Sequence, residues 1–228
     1  LVTDEATRER YYKTMLHEVM RLSRLITDML ALSKLQSKNE VFELSAVDMN
    51  EVVTDVADSF HAAVSERGII MPLDVDDDAI ALTNADRVEQ LLVILISNAI
   101  RYTPDGGCIA ISVKKKDRLI VSVEDNGCGI PEEDLPHVFE RYYKVDKSRK
   151  EGGTGLGLSI AEAIIDKLDE KITVESQVGK GTRFEFTLKR YVSDAIALGP
   201  VTEPELDVKG ENKGISELEE TPDKKGKG

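Results

Sequence analysis

Two dense glycine clusters, Asp125-Asn126-Gly127-Cys128-Gly129 and Gly152-Gly153-Thr154-Gly155-Leu156-Gly157, constrain this sequence more than any other feature in it. Glycine at that density lets backbone approach a ligand closely and adopt positive φ. The second cluster runs straight into the apolar-periodic segment Leu156, Leu158, Ile160, Ala161, Ile164, Ile165, Leu168. Its free N–H groups therefore lie at the start of a predicted helix, where unpaired amides and the macrodipole favour phosphate. Between the clusters runs a polar segment holding Arg141, Tyr142, Tyr143, Lys144, Asp146, Lys147, Arg149 and Lys150. One cluster alone would fit an ordinary turn; the pair reads as a nucleotide site. The two commonest forms of such a site are absent: there is no G-x-x-x-x-G-K-[ST], and no glycine fingerprint between a first strand and a first helix with an acidic residue further on.

The totals narrow the partners. A formal net charge of −13 argues against nucleic acid or an anionic membrane, both of which want a basic face. The longest apolar run, Leu91 to Ile96, falls far short of the roughly 18 residues of a membrane span, and nothing has the pattern of a signal peptide. At 228 residues, 41% hydrophobic and without Trp, the chain has room for one domain plus extensions, or two small ones, with an aliphatic core. Cys108 and Cys128 make neither a metal spacing nor a disulfide framework, so a cytosolic setting is expected. Cys128 reads as a small residue tolerated in a tight loop.

From Glu5 to about Ser37 there is no Gly or Pro, and Leu16, Val19, Met20, Leu22, Leu25, Ile26, Met29, Leu30, Leu32 and Leu35 recur at spacings of three and four. This predicts one amphipathic helix, roughly 50 Å long, whose stripe needs a partner in a coiled coil or helical hairpin. His17 on this helix reads as a solvated histidine, and His61 as a surface residue. Val41 to Leu44 alternates like a short strand. Asp48 with Glu51 makes a capping-box start for a helix ending near Gly68, followed by strands at Ile69–Val75 and Ile80–Thr83. The segment Asp86 to Tyr102 is apolar almost all round and is predicted to be a buried helix, with Asn98, Arg101 and Tyr102 together on one face. A hairpin of Cys108–Val113 and Leu119–Val123 then places Asp125 at the end of a central strand. Strands at Ile172–Val174 and Thr182–Leu188 close the fold, and from about Tyr191 the Pro, Gly, Glu and Lys content predicts a disordered acidic tail.

In order, the sequence presents an Asn-bearing helix, D-x-G-x-G, the segment Phe139-Glu140-Arg141-Tyr142-Tyr143-Lys144, G-G-T-G-L-G-L-S-I, and G-x-G-T-x-F from Gly179 to Phe184. This series resembles the catalytic, ATP-binding domain of bacterial sensor histidine kinases, a branch of the GHKL ATPases, over about Val41 to Lys189. The preceding helix is similar to the second helix of that family's dimerisation and histidine-phosphotransfer hairpin. The resemblance implies three regions: that hairpin helix over 1–38, an ATP-binding domain over 39–190 and the tail over 191–228. It also implies a chain that begins after the phosphoacceptor histidine. The fold expected is α/β, a two-layer α/β sandwich with an antiparallel-rich mixed sheet, preceded by the long amphipathic helix.

By motif position, Asp125 would accept a hydrogen bond from the adenine amino group, with Gly127, Gly129, Ile130 and Thr182 shaping that pocket. Asn98 would hold Mg²⁺, whose preference for hard oxygen suits an amide carbonyl and triphosphate oxygens. Asn98, Arg101 and Lys144 form the catalytic set that the resemblance implies; Arg101 and Tyr102 would touch the phosphates, with Tyr143 beside the nucleotide. Gly153, Thr154, Gly155, Leu156, Gly157 and Leu158 make up the phosphate loop, and Tyr142 to Gly152 a lid over it. The implied partners are ATP, a second copy through the hairpin helices, and a response regulator, with a membrane met only through segments of a longer parent. Two departures from the family stand out: Ile94 occupies a position that commonly carries a second Asn, and Lys144 one that is often Arg. The alternatives are a nucleotide-binding regulatory module with impaired transfer, or another GHKL ATPase.

Overall fold

The structure is a computed structural model and describes residues 4–37, 40–145 and 153–192, with only the backbone of Ala6. Its elements are α1 (Glu5–Gln36), β1 (Ser45–Asp48), α2 (Met49–Ser59), α3 (His61–Glu66), β2 (Leu73–Val75), β3 (Ile80–Thr83), α4 (Ala85–Tyr102), β4 (Ile109–Lys115), β5 (Leu119–Asp125), α5 (Gly157–Lys167), β6 (Ile172–Gln177) and β7 (Gly181–Leu188). Alternation sets the sheet. In β4 and β5 the residues Ile109, Ile111, Val113, Leu119, Val121 and Val123 share one fully buried face, and the strands pair antiparallel with Ile109 opposite Asp125. The whole sheet runs β2-β4-β5-β7-β6, with β2 parallel to β4 and every other pair antiparallel. This is the expected α/β sandwich with an antiparallel-rich sheet. β5 is its middle strand, so Asp125 stands at the end of the best-supported strand in the molecule.

Helices α2, α4 and α5 cover one face of the sheet. α4 lies deepest: Asn84 caps it by accepting the Arg87 amide at 3.1 Å, and Val88, Leu91, Leu92, Leu95 and Ile96 are wholly buried. Each such side chain contributes about 1.5–3 kcal/mol of burial. A second apolar cluster joins Leu32 and Leu35 of α1 to Leu156, Ile160 and Ile164, with Leu25 packed partly buried against it, so α1 docks through the C-terminal part of its stripe. The rest of its stripe, including Leu16, Val19, Met20, Leu22, Ile26 and Leu30, is exposed. Among the described residues no helix is long and apolar enough to cross a membrane.

Four expectations shift. The strand expected over Val41–Leu44 forms instead at Ser45–Asp48, where its backbone can pair with β3. The strand expected from Ile69 shrinks to Leu73–Val75 plus a bridge from Ile70 to Cys108; Pro72 has no N–H to extend it, although its carbonyl accepts the Ile111 amide. The helix expected to reach Gly68 breaks at Phe60 into α2 and α3. α4 is not buried all round: Val93 is 41% exposed, and the face bearing Asn98, Arg101 and Tyr102 is open. Beyond β7, Leu82 donates to the Lys189 carbonyl and Tyr191 to that of Ile80, which ties the β1–β3 ribbon to the main sheet. Most of the expected lid, with Asp146, Lys147, Arg149, Lys150 and Gly152, lies outside the described residues, as does the tail expected over 191–228 except Tyr191 and Val192, of which Tyr191 is tied to Ile80 by its amide rather than starting the tail.

Candidate functional site

α4 is the spine on which the two glycine clusters meet. Near its C-terminus the Tyr102 carbonyl accepts the Cys128 amide at 3.3 Å, and a Cβ on Gly127 would stand 2.4 Å from that same oxygen. Only glycine permits that approach. Around the helix, the Arg101 guanidinium lies against Gly153, where an added Cβ would come within 2.3 Å of Nη1, and Ile94 touches Gly157. One helix face thus carries Ile94, Asn98 and Arg101 past the second cluster, while the helix end supports the first. The Asn98 side chain is half-buried and takes no protein hydrogen-bond partner among the described residues. Tyr102 contributes its carbonyl to this arrangement; its side chain is 44% exposed.

Asp125 stands at the start of the first cluster. Only 7% exposed, its carboxylate accepts the Gly127 amide at 2.8 Å. Burial pushes its pKa up, the Gly127 amide pulls against that, and neighbouring Glu124 adds to the rise. This is a desolvated acceptor with no cation beside it in the described structure. Strand register puts Thr182 directly opposite Asp125, itself 7% exposed, and Gly181 is pressed so close that a Cβ would sit 1.8 Å from the Asp125 carbonyl oxygen. Gly129, at φ +71°, similarly abuts the Gln177 carbonyl. The Ile130 amide donates to Ser176 Oγ at 2.8 Å.

Beside the second cluster, Arg141, Tyr142, Tyr143, Lys144 and Thr154 line an open cleft of about 470 Å³. Tyr142 holds φ +64° and donates its amide to the Gly155 carbonyl at 2.8 Å. A bulky residue in that region is a genuine outlier, and here the hydrogen bond to the loop fixes it. Thr154 is shared between purposes: its hydroxyl donates to Asp28 of α1 at 2.7 Å and accepts the Leu156 amide at 3.3 Å.

Three candidate residues sit differently from a ligand-facing role. The Tyr143 hydroxyl is held by Asp134 at 2.5 Å, which pushes the phenol up to about 12, and its ring leans on His137. Leu156 is wholly buried between α1 and α5, and Leu158 packs against the main core, so in both the side chain is committed to packing and only backbone faces the loop. Lys144 lines the cleft beside Tyr142. Conversely, the sequence reasoning passed over Ser176 and Asp28, and took Gly181 only as part of the G-x-G-T-x-F motif. Ser176 was findable, because it continues the inward face of β6 after Ile172 and Val174. Asp28 was not, since nothing in a helix sequence says which loop will lie against it.

The comparisons with known proteins agree with this fold. Residues 83–192 match the family of histidine kinase-, DNA gyrase B- and HSP90-like ATPases. The sensor histidine kinase RppB of Synechocystis sp. is 39% identical over 77% of this chain and 40% of its own length. WalK of Bacillus subtilis, also a sensor histidine kinase, is 35% identical over 78% of this chain and 30% of its length. The chain therefore spans less than half of these curated relatives. Among solved structures, the catalytic domain of the histidine kinase ThkA is 30% identical over 65% of this chain and 97% of that one, with a TM-score of 0.59. ThkA in complex with the response regulator protein TrrA reaches a TM-score of 0.69 at 26% identity, over 83% of this chain and 53% of ThkA's. A chain that folds α4 between two glycine clusters around a buried Asp, and that matches nearly the whole of such a domain, belongs to the histidine kinase branch of the histidine kinase-, DNA gyrase B- and HSP90-like ATPases.

Proposed function

We propose that this chain binds Mg·ATP and transfers the γ-phosphoryl group to a histidine nitrogen on a helix that pairs with α1, for onward transfer to an aspartate of a response regulator. The observation that carries the reading is the convergence on α4: a desolvated carboxylate beside the glycine cluster at its C-terminal end, and a guanidinium against the second glycine loop, with the Asn98 amide on the same helix face between Ile94 and Arg101. Asp125 accepts from the adenine amino group. Arg101 and the amides of Gly153, Gly155 and Gly157 hold phosphate oxygens, with Thr154 and the backbone of Leu156 and Leu158 completing the loop. Lys144 adds positive charge from the lid side, and Tyr102 and Tyr143 border the site. The histidine nitrogen then attacks the γ-phosphorus in line as the bond to the β–γ bridging oxygen breaks, leaving ADP. Little covalent work falls to the protein; positioning and charge neutralisation supply most of the rate.

The residues fit Mg²⁺. Among the described residues no group of three His, Cys, Asp or Glu could make a dedicated metal cage, while Asn98 offers one hard carbonyl oxygen without a protein partner. That is how Mg²⁺ is ordinarily held, by one or two protein oxygens plus substrate phosphates and water. When bound it neutralises charge on the β- and γ-phosphates.

ThkA in complex with TrrA supports the response regulator as partner. The exposed stripe of α1 supports pairing with a second copy in a longer parent, a sensor whose cytosolic portion this would be. The net charge of −13 speaks against nucleic acid. One observation favours a second reading, a regulatory module that binds ATP but transfers poorly: Ile94 fills the place of a polar ligand on the Asn98 face. Labelled ATP, Mg²⁺ and a separately supplied acceptor helix distinguish them. Acid-labile phosphohistidine on the acceptor is the expected result; ATP binding without transfer at any Mg²⁺ level would leave the regulatory reading, and no ATP binding would refute both.

A further inference from the structure

We infer that Ser176 is a specificity-determining positioning residue of the base pocket: it fixes the hydroxyl of Thr182 as a hydrogen-bond acceptor, so that the pocket presents acceptors to an exocyclic amino group. The inference rests on the nucleotide reading above. Ser176 Oγ accepts the Ile130 amide at 2.8 Å, lies 2.8 Å from the Gly181 carbonyl oxygen and 2.9 Å from Thr182 Oγ1. A carbonyl cannot donate, so the single serine proton goes to Gly181. The serine oxygen then has two lone pairs, of which one takes the Ile130 N–H and the other must take the Thr182 hydroxyl proton. Every hydrogen-bonding capacity of Ser176 is used, and the direction of each bond follows without ambiguity.

The consequence falls on Thr182. With its proton turned toward Ser176, its oxygen retains only lone pairs for the pocket. Its cross-strand partner is Asp125, and the residues in register with one another on the two strands share the helix-covered face of the sheet. Asp125 already offers carboxylate oxygens there, so the pocket wall presents acceptors from both strands. A purine bearing an amino group matches that wall; one bearing a carbonyl, or nothing, at that position does not. Ser176 also ties together the three segments of the pocket: the loop at Ile130, β6, and the start of β7. Neither a remote contact nor a loose surface serine could do both.

The test uses the full chain and two ligands with the same triphosphate, ATP and purine riboside triphosphate, which lacks the amino group. Calorimetry should find ATP preferred by the unaltered protein. In Ser176→Ala the Thr182 proton is free to turn into the pocket, and the preference should shrink by about five- to fiftyfold, the scale of one buried hydrogen bond lost or reversed. Ser176→Thr keeps the hydroxyl and should restore it. If both ligands weaken together and the ratio holds, Ser176 is a structural tie and the inference is wrong; if Ser176→Ala changes neither affinity, it is wrong as well. Should the unaltered protein bind neither ligand, the nucleotide reading itself fails.

Discussion

Replacing Asp125 by Asn tests the site at its most exacting point. The carboxylate is 7% exposed, accepts the Gly127 amide at 2.8 Å, and has only the like charge of Glu124 among the ionised groups that shift it. In Asn the oxygen can keep the Gly127 bond, but the NH₂ group then faces the ligand's amino group, donor against donor. A hydrogen bond to a charged group contributes about 1.5–3 kcal/mol, so ATP affinity should fall roughly tenfold to 150-fold. The empty protein should tolerate the change. Removing a desolvated charge is favourable, leaving one buried donor unpaired is not, and the two offset to within about 1 kcal/mol, a melting shift of about 2–4 °C at this size.

The pH dependence carries a sign of its own. Burial raises the Asp125 pKa in the native state, so the folded protein binds this proton more tightly than the unfolded chain does. The group's contribution to stability is therefore greatest in acid and declines as pH rises from the ordinary carboxylate range through the raised pKa. ATP affinity moves the other way, because acidification protonates an acceptor, and it should begin to fall at higher pH than a surface carboxylate would dictate. Calorimetry with ATP and GTP, with circular dichroism as the folding control, decides the matter. Equal ATP affinity in the Asn variant, or equal loss of ATP and GTP, would refute Asp125 as the reader of the base.

Incubated alone with ATP and Mg²⁺, the chain should acquire no acid-labile phosphate on His17, His61 or His137, which mass spectrometry checks; phosphate on His17 would overturn the reading of α1 as a partner helix without an acceptor of its own. Gly129→Ala and Gly179→Ala share a positive-φ penalty of about 1–2 kcal/mol, but only the first drives a Cβ to 2.1 Å from the Gln177 carbonyl, while a Cβ on Gly179 would meet no non-neighbouring atom within 4 Å. Thermal melts should thus separate them clearly, with Gly129→Ala also losing ATP binding; equal melting would contradict the close approach. Ile94 packs against both apolar clusters, so Ile94→Asn should cost about 1–3 kcal/mol of stability, yet with a supplied acceptor helix it should transfer phosphate at lower Mg²⁺. An unchanged Mg²⁺ dependence would make Ile94 a packing residue and nothing more.

Much of this protein was legible in one dimension, because the signals involved are local. Period-two alternation wrote β4 and β5, the absence of Gly and Pro wrote α1, and glycines at φ +71° and +74° announced loops that ordinary residues could not enter. The order of the motifs identified the family before any contact was known. What the sequence misjudged or missed depended on partners distant along the chain. The strand near Val41 moved to Ser45–Asp48 because pairing with β3 chose the register, and α4 proved open on one side because the glycine loops, not the sheet, lie against Ile94 and Arg101. Leu156 was claimed by Leu32 and Leu35 of α1, Thr154 by Asp28, and the Tyr143 hydroxyl by Asp134. Ser176 acquired its place only when β6, β7 and the loop at Ile130 were brought within hydrogen-bonding distance of one oxygen. Backbone preference and periodicity act over a few residues and survive in the sequence; the direction of a hydrogen bond and the occupant of a contact are set by chain segments that only tertiary folding brings together.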